Sequence, residues 1–201
     1  MRAVFEQELW GNGYGVVAGV DEVGRGALAG PVVAGVVVLS PYFDEPWLER
    51  VRDSKELRPR QRQELSKLIQ GQALASGVGL ASVEEIDKGG ILPATRLAME
   101  RAISGLTVGP QYLLIDYLKL PRLPIPQRGI VHGDRLCLSI ACASIVAKVS
   151  RDQMMVEMDV HYPGYSFAQN KGYGTPAHLQ ALGHLGPCLL HRYSFAPVGR
   201  A

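Results

Sequence analysis

The sequence predicts an α/β protein, a mixed sheet flanked by helices, and three observations carry that expectation. Two valine-rich runs, at 16–22 and 31–39, open the chain. Three further strand-like runs, at 74–82, 112–118 and 129–132, follow at wider spacing. Stretches of helical period fill the intervals, and strands followed by alternation with helices is the order of a sheet that collects helices on its faces.

Taken in order, the first two strands are rich in β-branched residues, which suit a pleated buried surface. Glycines 24, 26 and 30 between them predict a tight antiparallel hairpin. Pro59 suits a first helical turn, and Leu65, Leu68 and Ile69 give 59–70 an apolar side. Ile91, Leu97, Ala98, Ala102 and Ile103 mark an amphipathic helix over 91–104. A loop carrying Pro121, Pro124 and Pro126 separates the fourth and fifth strands. A long helix is expected over 136–158, then loops at 162–165 and 171–175 and a short helix over 176–182. Residues 1–201 read as a single domain, with a helical and loop appendage over about 160–201.

The chain has 201 residues, 47% hydrophobic and 20% charged, ordinary for a globular protein that buries a core. Its longest apolar run, 29–39, contains two glycines and a proline and is too short to span a membrane. The first eight residues lack the apolar core of a secretory signal, so a cytoplasmic location is expected. Cys137, Cys142 and Cys188 have neither the number nor the spacing of a disulfide framework or a zinc site. The net charge of +2 says nothing about partners, but its distribution is uneven. Between Arg50 and Lys67 seven basic residues stand against three acidic ones, and no acidic residue follows Asp159.

The carboxylates are unusual. Asp21 and Glu22 end an apolar strand, and neighbours on a regular strand point to opposite faces. They can share one site only where the strand ends or distorts, which the following glycines permit. Asp116 closes another apolar run, and Asp134 stands just before the long helix. Burying an unpaired carboxylate is costly, so such residues call for a cation, a hydrogen-bond network or a raised pKa. Each has a plainer alternative: Asp134 as a helix cap, Asp21 or Glu22 paired with Arg25, Asp116 turned to water. Jointly they favour a site for a hard cation, Mg²⁺ or Mn²⁺, which prefers oxygen ligands. Two such ions can activate water and stabilise the leaving oxygen in phosphodiester cleavage. Gly24-Arg25-Gly26 has neither the spacing of a dinucleotide fingerprint nor a following phosphate-loop lysine.

The string from Gly19 to Ala34, with Asp21-Glu22-Val23-Gly24-Arg25-Gly26 and Leu28-Ala29-Gly30-Pro31, resembles the opening signature of the bacterial type 2 ribonucleases H (ribonuclease HII). So do Asp53-Ser54-Lys55, the run from Ser139 to Val149 with Arg151-Asp152, and Tyr162-Pro163-Gly164-Tyr165. Lys171-Gly172-Tyr173-Gly174-Thr175 and the run from His191 to Val198 complete an ordered set over about 16–198. The resemblance implies a ribonuclease H-like mixed five-stranded sheet flanked by helices, with a helical C-terminal part. It implies catalytic, metal-holding acids at Asp21, Glu22, Asp116 and Asp134, with Mn²⁺ or Mg²⁺ bound. Their reaction would be two-metal hydrolysis leaving 3′-hydroxyl and 5′-phosphate ends. The implied substrates are RNA/DNA hybrids and ribonucleotide-containing duplex DNA, cut on the 5′ side of a ribonucleotide. Gly24, Arg25 and Gly26 match the sensor of the ribose 2′-hydroxyl, and Tyr173 a tyrosine beside the sugar at the RNA–DNA junction.

The residues themselves are compatible with these roles. Backbone groups at glycine can approach and read a 2′-hydroxyl, and a tyrosine between Gly172 and Gly174 can stack, unless it is an ordinary loop tyrosine. Ser144, Lys148 and Arg151 fall on one face of the long helix, either to meet phosphate or as a polar stripe. Lys55 is a phosphate contact or a solvated lysine, and His191 and Arg192 remain unassigned between packing and phosphate. The chain departs from the family pattern at Tyr117, where glycine is frequent, at His132, where lysine is common, and at Gly90 in place of asparagine. No hydrophobic-aromatic clamp-binding motif is expected at this terminus, and a monomer is expected. The competing functions are a non-catalytic nucleic-acid-binding domain and another metal-dependent nuclease of the same fold.

Overall fold

The computed structural model describes residues 3–41 and 45–200; Met1, Arg2 and Ala201, at the chain ends considered above, lie outside the described residues. The chain begins with helix α1 (Val4–Gly11), followed by strands β1 (Val17–Val23) and β2 (Val32–Val38). After a short 3-10 turn at Pro46–Arg50 come α2 (Pro59–Gln72), β3 (Ala75–Ala81), α3 (Val83–Gly89) and α4 (Ile91–Ser104). Strands β4 (Tyr112–Asp116) and β5 (Gln127–Ile130) precede α5 (Gly133–Leu136) and α6 (Leu138–His161). The C-terminal part carries α7 (Phe167–Asn170), α8 (Pro176–Leu185) and a last 3-10 turn at Val198–Arg200.

The five strands form one sheet in the order β3-β2-β1-β4-β5. β1 pairs antiparallel with β2, as the glycine turn predicts, and β2 also pairs antiparallel with β3. β1 and β4 pair parallel, as do β4 and β5, so the sheet is mixed. The fifth strand ends at Ile130, two residues before the expected end, because His132 adopts a left-handed conformation (φ 57°) that breaks the ladder.

Alternation along the strands sends two sets of side chains to opposite faces. Ala18, Val20, Val32, Ala34 and Val36 meet Ala94, Ala98, Met99 and Ala102 of α4. On the other face Val37 and Leu39 meet Leu65 and Ile69 of α2 and Ala141, Cys142 and Ile145 of α6. Glycines let α6 lie directly on the sheet. A Cβ on Gly19 would stand 2.1 Å from the Ser139 carbonyl carbon, and one on Gly35 2.3 Å from the Ala143 oxygen. The amino end of α6 is tied by Glu6 of α1, whose carboxylate accepts from the Ser139 N–H (2.7 Å) and the Cys137 thiol (3.1 Å). Among the described residues no helix is long and apolar enough to cross a membrane.

Candidate active site

Parallel pairing sets Val20 of β1 opposite Ile115 of β4, so Asp21 and Asp116 come next, side by side at the carboxyl ends of the two strands. Asp21 shares the face of Gly19, beneath α6, where the Ser144 hydroxyl hydrogen-bonds it. Glu22 points the other way. β1 runs on to Val23 and does not end at Glu22, but beyond the Val20–Ile115 pair it has no strand on the β4 side. That uncovered edge lets both carboxylates reach one cleft of about 370 Å³.

Asp116 and Asp134 join them through the next turn. The Gly133 N–H donates to Asp116 Oδ1 at 2.7 Å, fixing α5 against the end of β4. Asp134 lies in the first turn of α5 rather than capping a helix, since the N-cap is His132. Tyr117, directly after Asp116, has φ 59° and is 66% exposed, a conformation that glycine adopts without strain. Gly90, at φ 84°, joins α3 to α4, which gives glycine a local reason there as well.

The cleft is lined by Asp21, Glu22, Asp116 and Asp134 together with Lys55, Ser144, Lys148 and Tyr173. Gly24, Arg25 and Gly26 do not line it. Gly24 is buried at φ 93°, where an added Cβ would fall 2.2 Å from Arg151 Nε. Arg25 turns its guanidinium onto Glu22 at 3.1 Å, and only Gly26 of the three is exposed. Lys55 reaches to 3.9 Å from Asp134. Lys148 is ion-paired to Asp152 at 2.6 Å, and its ammonium and the Arg151 guanidinium lie over the Tyr173 ring at 5.8 and 5.4 Å.

The burial of three basic residues bears on two readings left open above. Arg151 is wholly buried and gives its N–H groups to the carbonyls of Pro31, Lys171 and Ala29, so it cannot stand with Ser144 and Lys148 on phosphate. Arg192 is likewise buried, donating to the carbonyls of Gly30 and Arg25, and His191 is buried too. All three are spent on partners inside the protein. Asp53 and Ser54, quoted in a motif but given no role, also matter. Asp53 accepts from the Lys55 N–H and from Arg135, which brings Ser54 Oγ within 3.0 Å of Ser144 Oγ at the cleft wall. Their signal was a run of five polar residues, 52–56, set between the apolar Val51 and Leu57.

The electrostatics suit a cation. Burial pushes Asp21 well above the usual carboxylate range, and the neighbouring charges of Glu22 and Asp116 add to it. Burial also raises Glu22, against the pull of Arg25, and raises Asp116, against the Gly133 N–H. Glu22 Oε2 is buried without a hydrogen-bond partner. An all-oxygen donor set with an orphaned buried carboxylate oxygen fits a hard divalent ion. Among the described residues no three such groups are gathered around one point, and Asp21, Glu22 and Asp116 each accept a local hydrogen bond.

A larger groove of about 710 Å³ runs between α2 and α6, with Arg62, Lys67 and Lys171 on its walls and Lys148 bordering both it and the cleft.

Comparison with known proteins places this arrangement. The family model described as Ribonuclease HII matches residues 18–198. A Ribonuclease HII of Dehalococcoides mccartyi is 52% identical over 193 residues, covering 96% of this chain and 92% of that protein. The crystal structure of ribonuclease H2 from Pyrococcus horikoshii is similar with a TM-score of 0.74 at 25% identity, over 92% of this chain and 96% of that one. Bst-RNase HIII, solved in complex with Mn²⁺, shares the fold with a TM-score of 0.62 at 16% identity, over 92% of this chain and 68% of that one. With its signature matched from β1 to the last turn and its sheet and helices in the same arrangement, this chain belongs to the ribonuclease HII family: it is a ribonuclease H, a divalent-metal-dependent nuclease.

Proposed function

We propose that this enzyme cuts on the 5′ side of ribonucleotides, both in long RNA/DNA hybrids and at a single ribonucleotide embedded in duplex DNA. Asp21, Glu22, Asp116 and Asp134 hold the metal, Mg²⁺ or Mn²⁺, and are the catalytic acids. What supports this is one cleft in which these carboxylates stand with Lys55, Ser144, Lys148 and Tyr173. The Mn²⁺ complex of Bst-RNase HIII supports the class of ion. Held by these acids, a pair of such ions would supply an activated water and stabilise charge on the leaving oxygen, which would leave 3′-hydroxyl and 5′-phosphate ends.

The protein's own part is to place and to choose. Ser144 orients Asp21, and the Gly133 N–H orients Asp116. Lys55 and Lys148 bring positive charge to the cleft for the scissile region of the backbone. The phosphate is the same in DNA and RNA, so discrimination must come from groups that meet the 2′-hydroxyl. The Gly24-Arg25-Gly26 main chain takes that role, with Gly26 as its exposed member, and the Tyr173 ring stacks beside the sugar. The test is cleavage of matched duplexes carrying zero, one or several ribonucleotides, with Mg²⁺ and with Mn²⁺. Incision at the single ribonucleotide and none in the all-DNA duplex is expected; equal cutting of both would overturn the proposal.

A further inference from the structure

Behind Tyr173 lies a buried histidine pair. The Tyr173 carbonyl accepts from His178 Nδ1 at 2.9 Å, and His178 Nε2 faces His191 Nε2 at 3.1 Å. His191 Nδ1 in turn faces the Cys188 N–H at 3.0 Å. Both rings are fully buried, with Phe167 edge-on to His178 at 5.4 Å and Tyr165 edge-on to His191 at 4.9 Å. The titratable groups facing the pair are Cys188 and Tyr165 on the His191 side, and each histidine faces the other.

The chain of bonds admits a single proton arrangement. An amide N–H can only donate, so His191 Nδ1 carries a lone pair and its proton sits on Nε2. That proton must go to His178 Nε2, which leaves the second proton on His178 Nδ1, aimed at the Tyr173 oxygen. Both rings are then neutral, in opposite tautomers, with every ring nitrogen satisfied. A proton added to either ring sets two donors against each other and breaks a bond. Two apolar residues would fill the same space without the cost of burying four polar atoms, so what sets the polar pair apart is what it holds. What it holds is the main chain of Tyr173, and the tail that carries His191 also bonds Leu28 and Gly30 beside the Gly24–Gly26 turn.

We propose that His178 and His191 are positioning residues for Tyr173, fixing its main chain so that the ring meets the substrate sugar at the angle cleavage needs. This rests on Tyr173 contacting the sugar, as argued above. His178 touches no substrate and acts only through the tyrosine.

Imidazole ¹⁵N spectra of the whole protein at neutral pH test the bond chain directly. His178 is expected with its proton on Nδ1 and His191 on Nε2; the same tautomer in both, or a charged ring, overturns the proposal. Kinetics on the single-ribonucleotide duplex test the consequence. His178→Leu is expected to lower kcat about ten-fold with little change in KM, the scale of one lost positioning bond. His178→Asn, which can still donate to the Tyr173 carbonyl, is expected to recover most of that loss. In a Tyr173→Ala background His178→Leu is expected to cost nothing more. Equal losses in both backgrounds overturn the proposal. Normal cleavage by Tyr173→Ala alone instead removes the sugar contact. If His178→Leu does not fold, His178→Asn decides, since a full ten-fold loss in it contradicts positioning through that carbonyl.

Discussion

At Asp116 one carboxylate oxygen is spent on the Gly133 N–H, and the side chain is still half-buried beside three other acids. Asparagine keeps that hydrogen bond and removes the charge. Asp116→Asn is therefore expected to lower kcat by orders of magnitude at saturating Mg²⁺ while hybrid binding is largely retained. Near-normal turnover would take Asp116 out of the site. Asp21 gives a second outcome, read without activity. Its raised pKa means that folding disfavours its charge, so stability falls as pH rises above the ordinary carboxylate range. Asp21→Asn removes that cost, and metal-free protein should melt higher than the unmodified chain at neutral pH. Added Mg²⁺ or Mn²⁺ should raise the melting temperature of the unmodified chain and leave that of Asp21→Asn almost unmoved. The acids were legible in the sequence because a carboxylate closing an apolar strand is conspicuous. Arg151 and Arg192 were not, since helical spacing indicates a shared face but cannot reveal main-chain carbonyls waiting for a guanidinium.

Among the elements, the β1–β2 hairpin and α6 followed from pattern, the first from glycines between valine runs, the second from its length. Helix α1 was not expected, because only Glu6 and Leu9 of it are buried and it shows little apolar face. Helix α3 was hidden by extending the third strand to Ser82, although Ser82 and Glu85 form a reciprocal cap that marks a helix start. The contact of α6 with the sheet was beyond pattern as well. Glycine inside a strand signals a close approach without naming the partner. Gly35→Ala would push a methyl into the Ala143 carbonyl, backbone that cannot swing aside. It is expected to destabilise by about 2–3 kcal/mol in denaturant titration. A loss under about 0.5 kcal/mol would mean that α6 can lift from the sheet at little cost.

At the scale of the whole molecule, charge and protonation set the working conditions. The groove that meets the cleft at Lys148 carries Arg62, Lys67 and Lys171, so duplex affinity should fall steeply with salt as counterions are released. Lys67→Ala or Lys171→Ala should each flatten the log–log salt slope by about one and weaken all duplexes alike. A salt-independent affinity would point to another substrate class. For acid stability, burial and the neighbouring His178 pull His191 from 6.5 to about 4. The unfolded chain takes that proton first, so the contribution is intact above pH 6.5 and is lost as pH falls from 6.5 towards 4. That loss is at most about 3 kcal/mol, and His191→Gln should flatten this part of the stability profile. The glycine contact beneath α6 has a mechanical consequence. Ser144 and Lys148 ride on a helix whose height over Asp21 is set by main chain against main chain, with no side-chain cushion between. The jaw of the cleft therefore has a fixed gauge: repacking the apolar core can alter melting temperature, but the spacing offered to a sugar–phosphate backbone stays the same.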